Sequence, residues 1–309
     1  MLPFRTLSLT ALLLASATTV WAQQDPLLAP TQGVIDFGLR TSSLSGDNAR
    51  AERFADLTHQ MPVDRLRFNR EANRWFVRSG ADHLGRQDQR FWLRAGTGSV
   101  RITAQWDQVP LHMSQDSRAL FSATLPGVLA MSTDTRTAIQ TGTLKLADVV
   151  GAAANLPLGS RRDEAEVSVL YTPTRDLDLT VKFKTTKRAG SQPWGASFGF
   201  SNDVEVAAPI DTRSTDVTLG AEWANTRGML RVGLDGSWFT NHVPTLTWDD
   251  PWRITDTPKT GLPAQGRSSL WPNSRSLGAT LAGALKLPAD SRATASLTLA
   301  RLSQNEALI

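Results

Sequence analysis

The chain contains no cysteine. That absence removes disulfides, thiolate metal sites, thiol catalysis and the CxxCH attachment of a covalent haem in one step. Histidine is scarce too: His59, His83, His112 and His242 are scattered without HExxH or HxH spacing, so no metal-ligand set is offered. Neither a Walker A loop nor a GxGxxG opening a helix is found, which leaves nucleotide chemistry without a motif. Charge of one sign is lacking as well. Lys and Arg number 33 against 29 Asp and Glu, a balance of +4, too mild for a nucleic-acid partner. Past the first residues, no apolar run approaches the ~20 residues of a spanning helix.

The N-terminus sets the compartment. Arg5 supplies a positive region, Leu7 to Ala17 a short apolar core, and Val20-Trp21-Ala22 small residues at cleavage-site positions. Residues 1–22 therefore predict a cleaved secretory signal rather than a membrane anchor. An exported chain with no disulfide and no spanning helix meets a membrane only as a closed barrel, in which every backbone group is paired. The mean hydropathy of -0.23 excludes neither that nor a soluble chain, because barrel strands turn half their residues away from lipid.

Periodicity decides. In residues 23–60, Ile35, Phe37 and Leu39 alternate with Asp36, Gly38 and Arg40 as a first strand, followed over 45–57 by a short helical or plug-like segment, or a solvated linker. Strand-like stretches then recur from Leu66: 66–68, 73–79, 89–95 and 100–107, where Val100, Ile102, Ala104 and Trp106 alternate with Arg101, Thr103, Gln105 and Asp107. In the second half Leu177, Leu179, Val181 and Phe183 oppose Asp178, Thr180, Lys182 and Lys184, and the pattern repeats over 217–223, 230–238, 277–287 and 293–299. Each stretch has the length a tilted strand needs to cross the hydrocarbon layer, and its polar partners are charged. A soluble sandwich would bury one face as core. The pattern predicts an all-β fold, a large transmembrane antiparallel β-barrel of outer-membrane type over 61–309, with long loops at about 108–162, holding short helical pieces or an inserted lid, and 241–274.

About eleven strands are counted, an odd number, so the chain is expected to supply a partial barrel and to be truncated. Ten tryptophans against one tyrosine fit ring positions at a membrane interface or ordinary core; Trp92, Trp106, Trp223 and Trp238 lie where an aromatic girdle would sit, while Trp248, Trp252 and Trp271 fall in loop. Asp249-Asp250 could be paired acids, but ahead of Pro251 they read as turn formers, and His112 reads as an exposed loop residue.

Several stretches together resemble the MtrB/PioB family of decaheme-associated outer-membrane proteins: Gly46 to Arg50, Asp82 to Arg90, Trp106 to His112, Tyr171-Thr172-Pro173, Pro209-Ile210-Asp211, Leu246 to Pro251 and Leu287 to Ser296. Their order and spacing, not any one of them, carry the likeness. It implies an outer-membrane sheath around a periplasm-facing multihaem c-type cytochrome, with an extracellular cytochrome as a further partner, for electron transfer to or from extracellular donors or acceptors such as iron. The haem would belong to the partner, none being bound covalently here. The CxxC pair of some members is absent, which puts any thiol role in doubt, and the family barrel has many more strands than this chain supplies.

Independently of the resemblance, parity nominates Arg101, Gln105, Lys182, Lys184, Glu222, Arg231 and Asp235 as lumen or partner-facing residues. The same residues would line a water-filled porin and set its ion selectivity. An outer-membrane enzyme would need a catalytic group at a strand end, and no such group stands out.

Overall fold

The computed structural model describes residues 32–38, 43–56, 63–198, 203–257 and 263–304. The expected signal segment, Leu39, Arg40 and His59 lie outside them. The strands are β1 (Gln32–Phe37), β2 (Val63–Ala72), β3 (Trp75–Leu84), β4 (Arg90–Thr97), β5 (Val100–Ser114), β6 (Ser122–Leu125), β7 (Val128–Ala130), β8 (Leu158–Thr174), β9 (Leu177–Ser197), β10 (Asp203–Ala224), β11 (Gly228–Asn241), β12 (Thr245–Asp249), β13 (Gln265–Ser269), β14 (Ser274–Lys286) and β15 (Arg292–Gln304). Helices α1 (Thr133–Gln140) and α2 (Leu146–Ala152) stand between β7 and β8.

Eleven strands form one antiparallel sheet in the order β1-β2-β3-β4-β5-β8-β9-β10-β11-β14-β15. It is a meander: each strand pairs with the previous barrel strand, and β1 and β15 are its open edges. One end of the sheet has tight turns whose chemistry is local. Thr97 Oγ1 accepts from the backbone of Ser99 and Val100 between β4 and β5, and Asn225 Oδ1 accepts from Arg227 and Gly228 between β10 and β11. The opposite end carries the long connections, 115–157 and 242–273. Gly190 marks a close strand approach: its φ is +139° and a Cβ there would sit 2.3 Å from the Gly159 carbonyl oxygen of β8.

At 21 and 22 residues, β9 and β10 are about twice the ~9–11 residues that cross a bilayer, so they project beyond it at the long-connection end. There the two long connections fold together into a second sheet, β13-β12-β7-β6, in which β12 and β7 run parallel. Phe121, Leu129, Met131, Ile139, Val243, Leu246, Trp248 and Leu270 of this cap form the buried core with Ala196, Val206 and Ala208 of β9 and β10. Both connections therefore hold strands where the sequence suggests loop. β6, β7, β12 and β13 have three to five residues each and are stabilised by pairing between segments far apart in sequence, a signal that local periodicity does not carry.

Two further boundaries differ from expectation. β5 continues through Pro110, which is buried, to Ser114, so His112 lies within a strand and is half-buried rather than in an exposed loop. A proline ordinarily argues against a strand, which is why the pattern read from sequence stops before it. The 43–56 segment is neither an α-helix nor a free linker: the Asn48–Arg50 3-10 turn is pinned to the end of β5, where Asp47 accepts from Ala49 N at 2.9 Å, Ser114 Oγ at 2.9 Å and Gln115 N at 3.1 Å. The Ala49 amide, the largest influence, holds the Asp47 carboxyl below the ordinary aspartate value of 3.8; desolvation opposes it, and Ser114 and Gln115 add to the lowering.

Candidate functional site

Residues of one parity on each strand share a face of a sheet, and the register identifies which. Across the strands, Gln105 stands opposite Glu166, which stands opposite Lys184, then Asp216. One step along, Thr103, Ser168, Lys182, Thr218 and Asp235 form the next row, followed by Arg101, Leu170, Thr180 and Gly220. Asp178, Glu222 and Arg231 make a fourth. All seven residues nominated from sequence thus lie on one face. Lys184 Nζ is 3.0 Å from Glu164 Oε1, and Thr218 Oγ1 donates to Asp235 Oδ1 at 3.1 Å.

The same face continues onto strands that sequence parity had not resolved. Arg65 and Arg67 of β2, Arg78 of β3, and Arg90 and Arg94 of β4 join it, with Glu71 and Asp82. Arg67 pairs with Asp82, Arg78 with Glu71, and Arg65 lies 3.7 Å from Asp36. Trp92 is also on this face, which corrects its expected place in an aromatic girdle. It sits across from Gly80, where any Cβ would come within 2.7 Å of the indole, and the Arg67 and Arg94 guanidiniums lie 5.5 and 5.8 Å from its ring. Gly80 opposite a Trp is the signal in the sequence that could have revealed this: the ring needs a neighbour with no side chain.

The opposite face is apolar and open. Val167, Phe183, Leu219, Val181, Leu234, Leu281, Leu297 and Leu299 are all exposed, Val181 at 48% and Leu299 at 63%. Their rows run from β8 to β14, and on β15 the Val167–Phe183 row ends at Arg301. At one margin, Phe91, Trp106 and Trp238 fall in one transverse row, the first two rings 5.4 Å apart; at the other stands Trp223. From the Thr215 row to Trp223 is about 26 Å along the strand, or roughly 20 Å of height at a tilt of ~40°, which fits inside the ~25 Å apolar band of outer-membrane barrels. A soluble protein does not leave so wide an apolar surface uncovered.

The polar parity has a different fate at the long-connection end. The pairing of β9 with β10 runs without register shift, so Trp194, Ala196, Val206 and Ala208 continue the face of Lys182, Lys184 and Asp216. They are covered by the cap, so the cap sits over the charged side of the wall at one mouth. Inside it, Arg136 is 7% exposed and pairs with Asp249 at 3.3 Å, while Asp250 is fully buried and accepts from Trp252 N and Arg253. Asp249-Asp250 are thus a structural latch as well as a turn. His83 Nδ1 lies 3.1 Å from Asp88 and His242 Nδ1 3.3 Å from Asp211. Among the described residues, no group of three or more His, Asp or Glu is placed to hold a metal ion, and no helix is long and apolar enough to cross a membrane.

A meander of antiparallel strands with one exposed apolar face, aromatic margins, one charged face, tight turns at one end and long connections at the other defines the wall of an outer-membrane β-barrel. The chain belongs to the MtrB/PioB family of outer membrane beta-barrel porins, whose family model matches residues 46–309. No curated protein matches it. Among solved structures, the outer membrane protein OmpT of Vibrio cholerae aligns with a TM-score of 0.37 at 11% identity, over 89% of this chain and 67% of that one. The ferric-catecholate import receptor Fiu of E. coli K12, open form, aligns at 0.34 and 14% identity, over 76% of this chain and 42% of that one. Likenesses that weak place no residue.

Proposed function

We propose that this chain is wall of an outer-membrane sheath that houses a multihaem c-type cytochrome and holds it in place for electron transfer across the membrane. The observation that carries the reading is the continuous charged face that runs across β2 to β11 directly behind the lipid-facing band. Such a face needs water or a polar protein against it. Membership of the MtrB/PioB family favours the protein. The haem and its redox chemistry are then the partner's, the wall contributes a low-dielectric sleeve and complementary charge, and no catalytic step is assigned to it. Removal of a signal at Ala22 belongs to the same reading.

The sheet supplies ten inter-strand spacings of ~4.8 Å, which at a typical strand tilt of ~40° is roughly 63 Å of circumference. Both edges need pairing partners in lipid. A wall that encloses a protein is therefore completed by strands beyond these eleven.

The second reading, a solute porin, is favoured by the family description and uses the same charged face to select ions. One experiment separates them. The tagged full-length protein is purified from detergent-solubilised outer membranes, and the co-purifying material is assayed by haem staining and visible absorption. A stoichiometric multihaem protein supports the sheath; a haem-free barrel that conducts ions in planar bilayers refutes it.

A further inference from the structure

We infer that the arginines on β3, β4 and β5 form the docking sector for an acidic surface of the enclosed protein and so fix its rotation within the barrel, an inference that rests on the sheath reading. Three observations point there. First, Arg78 and Arg94 stand directly opposite each other across β3 and β4, where like charges repel. Second, Arg90, Arg94 and Arg101 are exposed on the charged face, and within the described residues none closes to an ion pair: Arg90 faces Asp107 across β4 and β5 without reaching it. Third, the Arg67 and Arg94 guanidiniums lie 5.5 and 5.8 Å from the Trp92 ring, and because Asp82 holds Arg67, the ring and the Arg94 fork are what the wall presents together.

The wall is also polarised across its width. On β8 to β11 the same face carries Glu164, Glu166, Asp216, Glu222 and Asp235 against Lys182, Lys184 and Arg231. With Arg162, Arg188 and Asp178, which share that face, β8 to β11 come to six carboxylates against five cations, whereas β2 to β5 carry Arg65, Arg67, Arg78, Arg90, Arg94 and Arg101 against Glu71, Asp82 and Asp107, so the net positive charge lies in the arginine sector. A guanidinium fork matches a carboxylate through two parallel hydrogen bonds, and Arg with Trp is the composition of interface anchors. The partner surface that fits is one of carboxylates, whether acidic side chains or haem propionates. Lipid phosphate is not the occupant, because the sector lies on the face away from the apolar band.

The test uses the full-length barrel with whatever haem protein it co-purifies, eluted in steps of increasing salt. Arg94→Glu with Arg101→Glu is expected to weaken retention about tenfold and lower the eluting salt, since exposed charge contacts are each worth a few-fold. Arg94→Lys with Arg101→Lys keeps the charge and should retain most of it. Asp176→Lys, exposed in the β8–β9 turn and off the charged face, should leave retention unchanged. Heat-modifiable migration of each variant verifies that the barrel has formed. If the wild type retains the haem protein and the Arg-to-Glu pair elutes at the same salt, the docking sector is wrong while the sheath stands. If the wild type retains no haem protein, the sheath fails and this inference falls with it.

Discussion

Replacing Arg136 by methionine should loosen the cap without dismantling the barrel. The Arg136 guanidinium pairs with Asp249 Oδ1 at 3.3 Å and donates to the carbonyls of Asp250 at 3.0 Å, Ala264 at 2.8 Å and Arg253, tying α1 to β12 and β13. Arg136→Met removes the countercharge of a carboxylate whose side chain is 8% exposed, leaving it only the Met131 amide and the Gln265 side chain. Breaking a buried pair by deleting one partner costs about 3–5 kcal/mol, which raises the opening equilibrium of the cap by roughly two to three and a half orders of magnitude. Hydrogen exchange read by mass spectrometry in detergent should show that loss of protection over 133–140 and 245–249, while the membrane-level part of β9 is unchanged. Adding Asp249→Leu should restore part of the protection, because the orphaned charge is then gone. Wild-type exchange in Arg136→Met would refute the latch, and a double variant no better protected than the single would refute its electrostatic basis.

Asp47 makes a pH-dependent tie. Its carboxyl titrates below the ordinary 3.8, so its contribution to docking the 43–56 segment is fully present above that value and is lost as pH falls through the lower folded one; limited proteolysis of this segment should therefore stay slow from neutral pH to about 4 and accelerate below, whereas Asp47→Asn should be cleaved readily at pH 7. Gly190→Ala forces a side chain onto the Gly159 oxygen and into a backbone conformation that costs about 1–3 kcal/mol by itself, and should reduce the heat-modifiable folded band. Val181→Arg on the apolar face should cost about 2–4 kcal/mol near the membrane midplane and block outer-membrane assembly. Thr180→Arg, one residue away on the charged face, should assemble normally; equal behaviour of the two would refute the assignment of faces.

Much of this wall is legible in the sequence because period two is a local property. Leu177 to Lys184 announce both faces of β9 without any tertiary information, and every lumen residue nominated from β5 and from β9 to β11 falls on one face. Legibility fails where a residue's surroundings come from elsewhere in the chain. Trp92 has the composition of an interface ring, but its face follows from the pairing of β3 with β4 and from Gly80 opposite. The cap is invisible for the same reason: β7 is held by β12, more than a hundred residues away, and Arg136 earns its burial from Asp249. The arginine sector is legible only in part: Arg101 follows from the period of β5, whereas Arg78, Arg90 and Arg94 lie in the short stretches 73–79 and 89–95, whose faces emerge only from the pairing of β3 and β4 with β5.

The cap and the turns also fix how the wall should sit. Bacterial barrels keep short turns in the periplasm and long loops outside, which puts the β10–β11 turn in the periplasm and the cap over the outer mouth. A cytochrome entering the lumen would then come from the tight-turn end, which the cap leaves clear, and would meet Arg101, in the turn-proximal row, before Gln105. The lack of native cysteine makes this directly testable, because one introduced thiol is unique. Gln140→Cys, exposed on α1, should react with a bulky polymer-linked maleimide on intact cells. Thr226→Cys, exposed in the β10–β11 turn, should react only after the outer membrane is permeabilised. The reverse pattern would invert the barrel, place the cap on the side from which the cytochrome must enter, and leave the sheath reading without an open door.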